Sequence, residues 1–356
     1  MVGKKRLQCG KLPPRMMAKL LRGLGARDPS VTVGPSVGED TAAIALGREY
    51  LIVTSDPITL AGEGAAKLLL QVNANDLATR GVRPRYLQAI AMLPPGTLAS
   101  EVEGLFGELD RCARRMGIAI TGGHTEVTDA VSRPVLVGTM FGLSRNRRLL
   151  SSGGAKPGDA LVMTESAGIE GTIILARSRG REIAKALGER SRREALGLAE
   201  SPGTSVVQAG LIAAKAGAHA MHDPTEGGVG AAIHEMAVAS RLRIEVDLDR
   251  IAIRSVTADV CGMFGIEPLG LISSGALLIA IAPGRVGQLL AAMRRVKIDA
   301  AVIGSFAKGG GVKAVRAERP SKLRWFERDE LVRVEEEASK PAGSGVEIMP
   351  SASSSP

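Results

Sequence analysis

Between Ala65 and Ala78 the chain reads AAKLLLQVNANDLA. Its apolar residues, among them Ala66, Leu69, Leu70, Val72, Leu77 and Ala78, are too many for a helix with one broad wet face. Such a helix has to be buried, yet it carries Asn73, Asn75 and Asp76. Burying a carboxylate is costly unless it is paired or holds a cation. Asn73 and Asp76 are three apart and share a helix face. A carboxylate beside an amide oxygen suits a hard cation with oxygen ligands. The segment alone leaves two readings of Asp76: a metal-binding acid, or a structural acid, paired in the core or set at an exposed helix end.

Further acids sit beside apolar strand runs in the N-terminal half. Gly38-Glu39-Asp40 precedes Thr41–Ile44, and Leu51–Ser55 ends on Asp56-Pro57. Ile118–Thr121 is followed by Gly122-Gly123-His124-Thr125-Glu126, read as a glycine-rich turn. Acids at strand ends beside such turns are placed to hold Mg²⁺ between a protein and a polyphosphate. His124 is either an acid/base or hydrogen-bond donor near a transferred phosphoryl group, or a loop residue that orients Glu126. In the second half, His222-Asp223-Pro224-Thr225-Glu226-Gly227-Gly228 leads into helical spacing from Gly230 to Ser240. Adjacent glycines at a helix start permit close backbone approach and leave N–H groups that attract phosphate. The bland alternative is a capped helix, with Asp223 or Thr225 serving those N–H groups.

The ordered set GEDTAAI, TSDP, NANDLATRGVRP, ITGGHTEVT, GGAKPGDALVMT, GIEGTIILA, HDPTEGGVGAAIHEMA and SSGALLIAI resembles the aminoimidazole ribonucleotide (AIR) synthetase superfamily from about Gly38 to Gly310. In detail it is most similar to the HypE-like, hydrogenase-maturation branch. The resemblance implies a two-domain α/β (α+β) fold: a strand-rich N-terminal domain with covering helices, then an α/β sandwich. It implies ATP and Mg²⁺ as cofactors and a homodimer built through the N-terminal domains. Asp40, Asp56, Asp76 and Asp223 are the expected metal ligands. Asn73, Asn75, Gly122, Gly123, Gly227 and Gly228 are expected at the nucleotide, with Asp76, His124 and Glu126 catalytic. The implied activity is ATP-dependent phosphorylation of an amide- or carbamoyl-type oxygen, dehydratase- or ligase-like, with a maturation protein as a possible partner. A small-metabolite kinase of the thiamine monophosphate kinase type, or a non-catalytic nucleotide-binding partner in a maturation complex, stays open.

Departures from the family pattern matter as much. The HypE branch carries a C-terminal cysteine whose carbamoylated thiol is dehydrated; here no cysteine follows Cys261, so that thiol is not expected. The kinase branch has a His-Phe pair where this chain has Thr59-Leu60-Ala61. Neither the glycine-rich aspartate loop of the aminoimidazole enzyme nor the nucleophile and lysine of selenophosphate synthetases has a counterpart, Cys9 included.

The 356 residues exceed one ordinary core, so two domains are expected. The boundaries drawn are 1–30 (a basic helix near Arg15–Leu24 and a turn), 31–148, 149–315, and an extension 316–356, disordered from about 338. A helix is expected from Leu98 to Met116, and an exposed helix or insertion from Arg177 to Arg193. Aromatics are only 2%, which argues against base-stacking recognition of single-stranded nucleic acid. The net charge of +9 comes from residues scattered along the chain, with clusters only at Lys4–Arg6, Arg145–Arg148 and Arg190–Arg193, and reads as solvated faces. Three separated cysteines make neither a disulfide framework nor a zinc site, and Cys112 and Cys261 read as packing residues. No apolar run approaches the roughly 18 residues of a membrane span. The chain is expected to be cytoplasmic.

Overall fold

The computed structural model describes residues 12, 14–36, 39–59, 64–145 and 149–339. The N-terminal half supplies β1 (Val31–Val33), β2 (Ala42–Leu46), β3 (Glu49–Ile58), β4 (Tyr86–Leu93), β5 (Ala119–Val127) and β6 (Val135–Ser144). These make one sheet in the order β1-β2-β3-β6-β4-β5, antiparallel throughout except for the parallel pair β4–β5. The second half supplies β7 (Ala160–Thr164), β8 (Ala220–His222), β9 (Arg243–Asp247), β10 (Leu277–Ile281), β11 (Ala300–Ala307), β12 (Val312–Arg316) and β13 (Arg319–Ser321). Their order is β13-β12-β9-β11-β7-β10-β8. β7 and β10 are buried at every position, because helices cover both faces of this sheet.

The helices are α1 (Pro14–Leu20), α2 (Ala65–Thr79), α3 (Ala99–Met116), α4 (Ile169–Ser178), α5 (Gly180–Gly197), α6 (Val207–Ala216), α7 (Gly228–Ser240), α8 (Ser255–Phe264), α9 (Pro283–Arg295) and α10 (Glu330–Ser339). α3 shows the expected amphipathic logic: Leu109, Cys112 and Ala113 face the core while its other side is wet. α7 covers one face of the second sheet through Val229, Ile233 and Met236. α6 and α9 cover the other through Ala209, Ala213, Leu289 and Met293. α4, α5 and α8 form a separate cluster around Ile169, Leu175, Ile183 and Val260.

α2 is the joint of the molecule. Leu70, Ala74 and Leu77 pack on Ile52, Leu87 and Met140 of the first sheet. Ala78 belongs to the core of the second domain. Small residues make this double contact possible. A Cβ at Gly138 would stand 2.8 Å from Asn73 Nδ2, and one at Gly210 of α6 would stand 2.5 Å from the Ala78 carbonyl. The all-round apolar pattern of α2 therefore reports burial between two layers.

Three sequence expectations need correcting. The strand starting near Ile118 does not stop at Thr121: Gly122 to Glu126 lie inside β5, so GGHTE is strand and not a turn. Both glycines have φ near +148°, and a Cβ at Gly123 would meet the Ala89 carbonyl at 1.7 Å. Gly123 is there for this strand's close approach to β4, whereas a Cβ at Gly122 would meet nothing within 4 Å and only its backbone angle favours glycine. β3 likewise runs through Asp56 and Pro57 to Ile58. Finally, the segment after residue 315 is not a separate appendage up to α10, since β13 extends the second sheet and Phe326 and Val334 are buried. The disorder expected from about residue 338 falls outside the described residues, apart from the end of α10. Cys9, Gly38, Leu60, Ala61, the Lys4–Arg6 cluster and Asn146–Arg148 also lie outside them.

Candidate active site between the domains

β2 ends its pairing with β3 at Val53, so the far half of β3 has an open side towards α2. There the Asp56 N–H donates to Asn73 Oδ1 at 3.2 Å, and Asn73 Nδ2 donates to the Leu69 carbonyl at 2.9 Å. Asn73 thus fixes the backbone that carries Asp56. Thr54 Oγ1 lies 2.6 Å from Asp76 Oδ2 and 2.9 Å from the Asp40 carbonyl, tying the third and first acids to the same strand. Asp223 follows β8 directly and approaches from the second domain.

The electrostatics show that these four acids share one neighbourhood. Burial pushes the Asp76 carboxyl well above the usual carboxylate range, and Asp223, Asp56 and Asp40 push it further. Asp223 is raised to about 6 by burial, partly offset by His222, with Asp40 and Asp56 again raising it. His222 is raised: burial opposes its charge, but Glu235 at 2.8 Å from Nε2, with Asp223 and Asp40, outweighs burial. Among the described residues no Lys, Arg or His forms an ion pair with the Asp76 carboxyl, which is bonded to Thr54 Oγ1. Four acids repelling one another in a partly buried cleft, all with oxygen donors, fit a hard divalent cation. Among the described residues no three acid, His or Cys side chains are already closed around one point.

Arg80, at the end of α2, is buried and fully engaged. Its Nε donates to Thr41 Oγ1 and its Nη1 to the Leu150 carbonyl, each at 2.5 Å, while Nη2 pairs with Glu39. Burial lowers its pKa to about 10. It pins the Glu39–Thr41 segment, and with it Asp40, to the interdomain junction. A small cavity beside it is lined by Asp40, Thr41, Arg80, Ser151, Ser152 and His222. Nothing in the sequence marks Arg80 out: a basic residue at a helix end is ordinarily a solvated cap.

The other expected site residues are placed elsewhere. Asn75 uses both ends of its amide on the second domain, donating to the Thr204 carbonyl at 2.8 Å and accepting from the Val206 N–H at 2.9 Å. Gly123 is in register with Ala89, Gly138 and Asp56 across the sheet, three strands from that acid, or about 14 Å at ~4.8 Å per strand. His124 and Glu126, next along β5, therefore stand apart from the acid cluster of their own chain. They contact each other at 3.4 Å on an edge strand exposed at every residue. Gly227 and Gly228 are also not the open phosphate-binding turn the sequence suggests. Both are buried, and the Gly227 N–H donates to Asp329 Oδ2 at 2.8 Å. A Cβ at Gly227 would meet the Phe326 carbonyl, and one at Gly228 the Leu271 and Leu269 carbonyls. Gly227 makes room for the C-terminal segment at Phe326 and Asp329, and Gly228 for the backbone of Leu269 and Leu271. Asp329, which does the capping, lies a hundred residues away, beyond any local capping pattern.

Two family models match successive parts of this architecture. The AIR synthase related protein N-terminal domain matches residues 38–144, and the corresponding C-terminal domain matches 156–316. The chain belongs to the AIR synthase related family. Within it, the chain is 27% identical over 278 residues to the carbamoyl dehydratase HypE of Rhizobium leguminosarum bv. viciae, covering 75% of this chain and 76% of that protein. It is 24% identical over 277 residues to a putative hydrogenase expression/formation protein of Methanocaldococcus jannaschii, covering 75% and 80%. Solved structures share the family fold. They include HypE in complex with ATP (TM-score 0.68, 23% identity, 89% and 91% of the two chains) and a HypE–HypF complex (0.64, 20%, 79% and 93%). AaThiL complexed with AMPPCP and TMP is similar to the same degree (0.66, 18%, 82% and 91%).

Proposed function

We propose that this protein is an ATP-dependent enzyme that phosphorylates the oxygen of a carbamoyl- or amide-type group, preparing it for loss as phosphate, in metallocentre maturation of the hydrogenase kind. The observation that carries this reading is the convergence of Asp40, Asp56, Asp76 and Asp223 from both domains on one neighbourhood, where they repel one another. Phosphoryl transfer needs positioning and charge neutralisation more than a protein nucleophile. Asp40, Asp56, Asp76 and Asp223 would hold Mg²⁺, which supplies charge neutralisation for the triphosphate. Asn73 orients Asp56, Thr54 orients Asp76, and Arg80 holds the Asp40 segment. The names of the HypE relatives favour a carbamoyl acceptor over a kinase substrate.

Cys261 is not the carrier of that acceptor. It is buried, and burial with Glu330 and Asp329 nearby pushes its thiol up to about 12. A maturation-protein partner of the kind seen with HypE in the HypE–HypF complex would deliver the group. We further propose a homodimer through β5, whose free edge is fully exposed and carries Ile120 and Val127. His124 and Glu126 would then stand at the interface between copies, which is where any catalytic part for them lies. The test is ADP release from Mg-ATP by the purified protein with carbamoyl compounds added. Stimulation with release of free phosphate supports the reading; a stable phosphorylated product indicates a kinase.

A further inference from the structure

At the head of α4, in the second domain, nearly every polar group of the turn has a partner. The Gly168 N–H donates to Ser273 Oγ at 2.7 Å, Gly171 N–H to the Ile272 carbonyl at 3.0 Å, and Thr172 Oγ1 to the Gly168 carbonyl at 2.7 Å. Ser273 Oγ passes its own proton to the Leu271 carbonyl. Two side chains break the pattern. Ser166 Oγ and Glu170 Oε2 have no hydrogen-bond partner among the described residues, although their residues are only 3% and 7% exposed. Ser274 bonds the Glu170 carboxyl, and both Asp223 and Asp329 lie close enough to repel it. A buried carboxylate oxygen with no donor is expensive, and its retention needs an explanation. Packing supplies none: the tight contact here is made by Gly171, whose added Cβ would strike Leu271 at 2.3 Å, not by Glu170.

We propose that Glu170 and Ser166 form an acceptor-recognition subsite that takes the NH₂ of a primary amide or carbamoyl group. Glu170 Oε2 accepts an N–H, Ser166 supplies a second polar contact, and Ser274 is the side chain that gives way as the group enters. The surroundings select this chemistry. Asp329 and Asp223 nearby repel an anion, against the opposing pull of Arg177, and both atoms are shut from water. Because Glu170 feels Asp223, the subsite adjoins the acid cluster, so an NH₂ bound there brings its carbon and oxygen towards the cleft. The proposal rests on the carbamoyl reading above and names the residues that would select it.

The test uses the full chain, with acetamide and N,N-dimethylacetamide as probes and ligand-observed NMR as the readout, with and without Mg-ATP. Mg-ATP binding is measured in parallel by calorimetry for wild type, Glu170→Gln and Ser166→Ala. Acetamide should bind saturably and the dimethyl compound should not. Glu170→Gln should weaken acetamide at least about tenfold, the loss expected for one hydrogen bond to a charged group, with Mg-ATP binding unchanged. Ser166→Ala should weaken it less. Acetamide binding that is absent from wild type, equal for the dimethyl compound, or unchanged in both variants would overturn the subsite. Failure of wild type to bind Mg-ATP would instead count against the proposed activity. If Glu170→Gln does not fold, unchanged acetamide binding by Ser166→Ala together with equal binding of the two probes decides against the proposal.

Discussion

Asp76→Asn separates the two readings of the acid at the centre of the molecule. Thr54 Oγ1 faces both Asp76 Oδ2 and the Asp40 carbonyl, but a hydroxyl owns one proton and cannot serve both acceptors at once. A protonated Asp76 resolves this by donating to Thr54, which then donates to Asp40. An asparagine whose Nδ2 faces Thr54 reproduces that chain of bonds at nearly the same volume. It also removes a carboxylate repelled by Asp223, Asp56 and Asp40. Relieving a buried ionic group of this kind is worth about 1–4 kcal/mol, and each kcal/mol moves the melting temperature by about 2–4 °C for a domain of this size. The metal-free variant at pH 7.5 should therefore melt several degrees higher than wild type in differential scanning fluorimetry with EDTA. Its stabilisation by Mg-ATP and its ADP release should both be lost, because an amide cannot replace the carboxylate's charge. A fall in melting temperature, with turnover retained in the cold, would refute the reasoning. It would mean that Asp76 is paired with a cation in the core, whose stranding costs about 3–5 kcal/mol.

Other outcomes follow from the same geometry. Asp223, Asp329, Glu170, Asp76 and His222 all have folded-state values above their ordinary ones, so each of these groups holds its proton more tightly in the folded protein than in the unfolded chain. Metal-free stability should accordingly fall as pH rises from about 4 through 6, by about 3 kcal/mol for Asp223 alone. Melting curves that rise over this window would contradict the burial of these acids. Asn75→Ala strands the Val206 N–H and the Thr204 carbonyl and should cost about 1–3 kcal/mol for each; denaturant titration checks it, and a change below 0.5 kcal/mol would mean the strap is not formed. Val127→Lys, on a side chain 60% exposed, should leave the fold intact while halving the mass in light scattering. An unchanged mass would move the dimer contact elsewhere.

How much of this was readable in advance depends on the range of the interactions. α2 and α3 were legible because helical apolar spacing is local, and α2's all-round pattern foretold its place between two layers. Asp40 and Asp56 were picked out by their place beside strand runs, Asp76 by its place in an apolar helix and Asp223 by the family resemblance; in the fold the four repel one another in one neighbourhood. Legibility failed where a long-range partner decides. Gly122 and Gly123 resemble a turn, but they lie inside β5, where the Ala89 backbone of the neighbouring strand leaves no room for a side chain at Gly123. Gly227 and Gly228 resemble a phosphate cradle, but Asp329 and Phe326 arrive from a hundred residues downstream to fill it. Arg80 gave no local sign, because a buried ionic network is a property of tertiary packing alone.

Under the proposed function, acids from both domains act together through a cation on one nucleotide. Calorimetric titration of ATP into wild type and Asp223→Asn, each with Mg²⁺ and with EDTA, tests it most directly. Wild type should bind ATP with Mg²⁺ and bind far more weakly without it. Asp223→Asn should lose most of the metal-dependent gain, although its residue comes from the domain opposite the one that carries the other three acids. Equal affinity with and without Mg²⁺, or a variant indistinguishable from wild type, would contradict the claim.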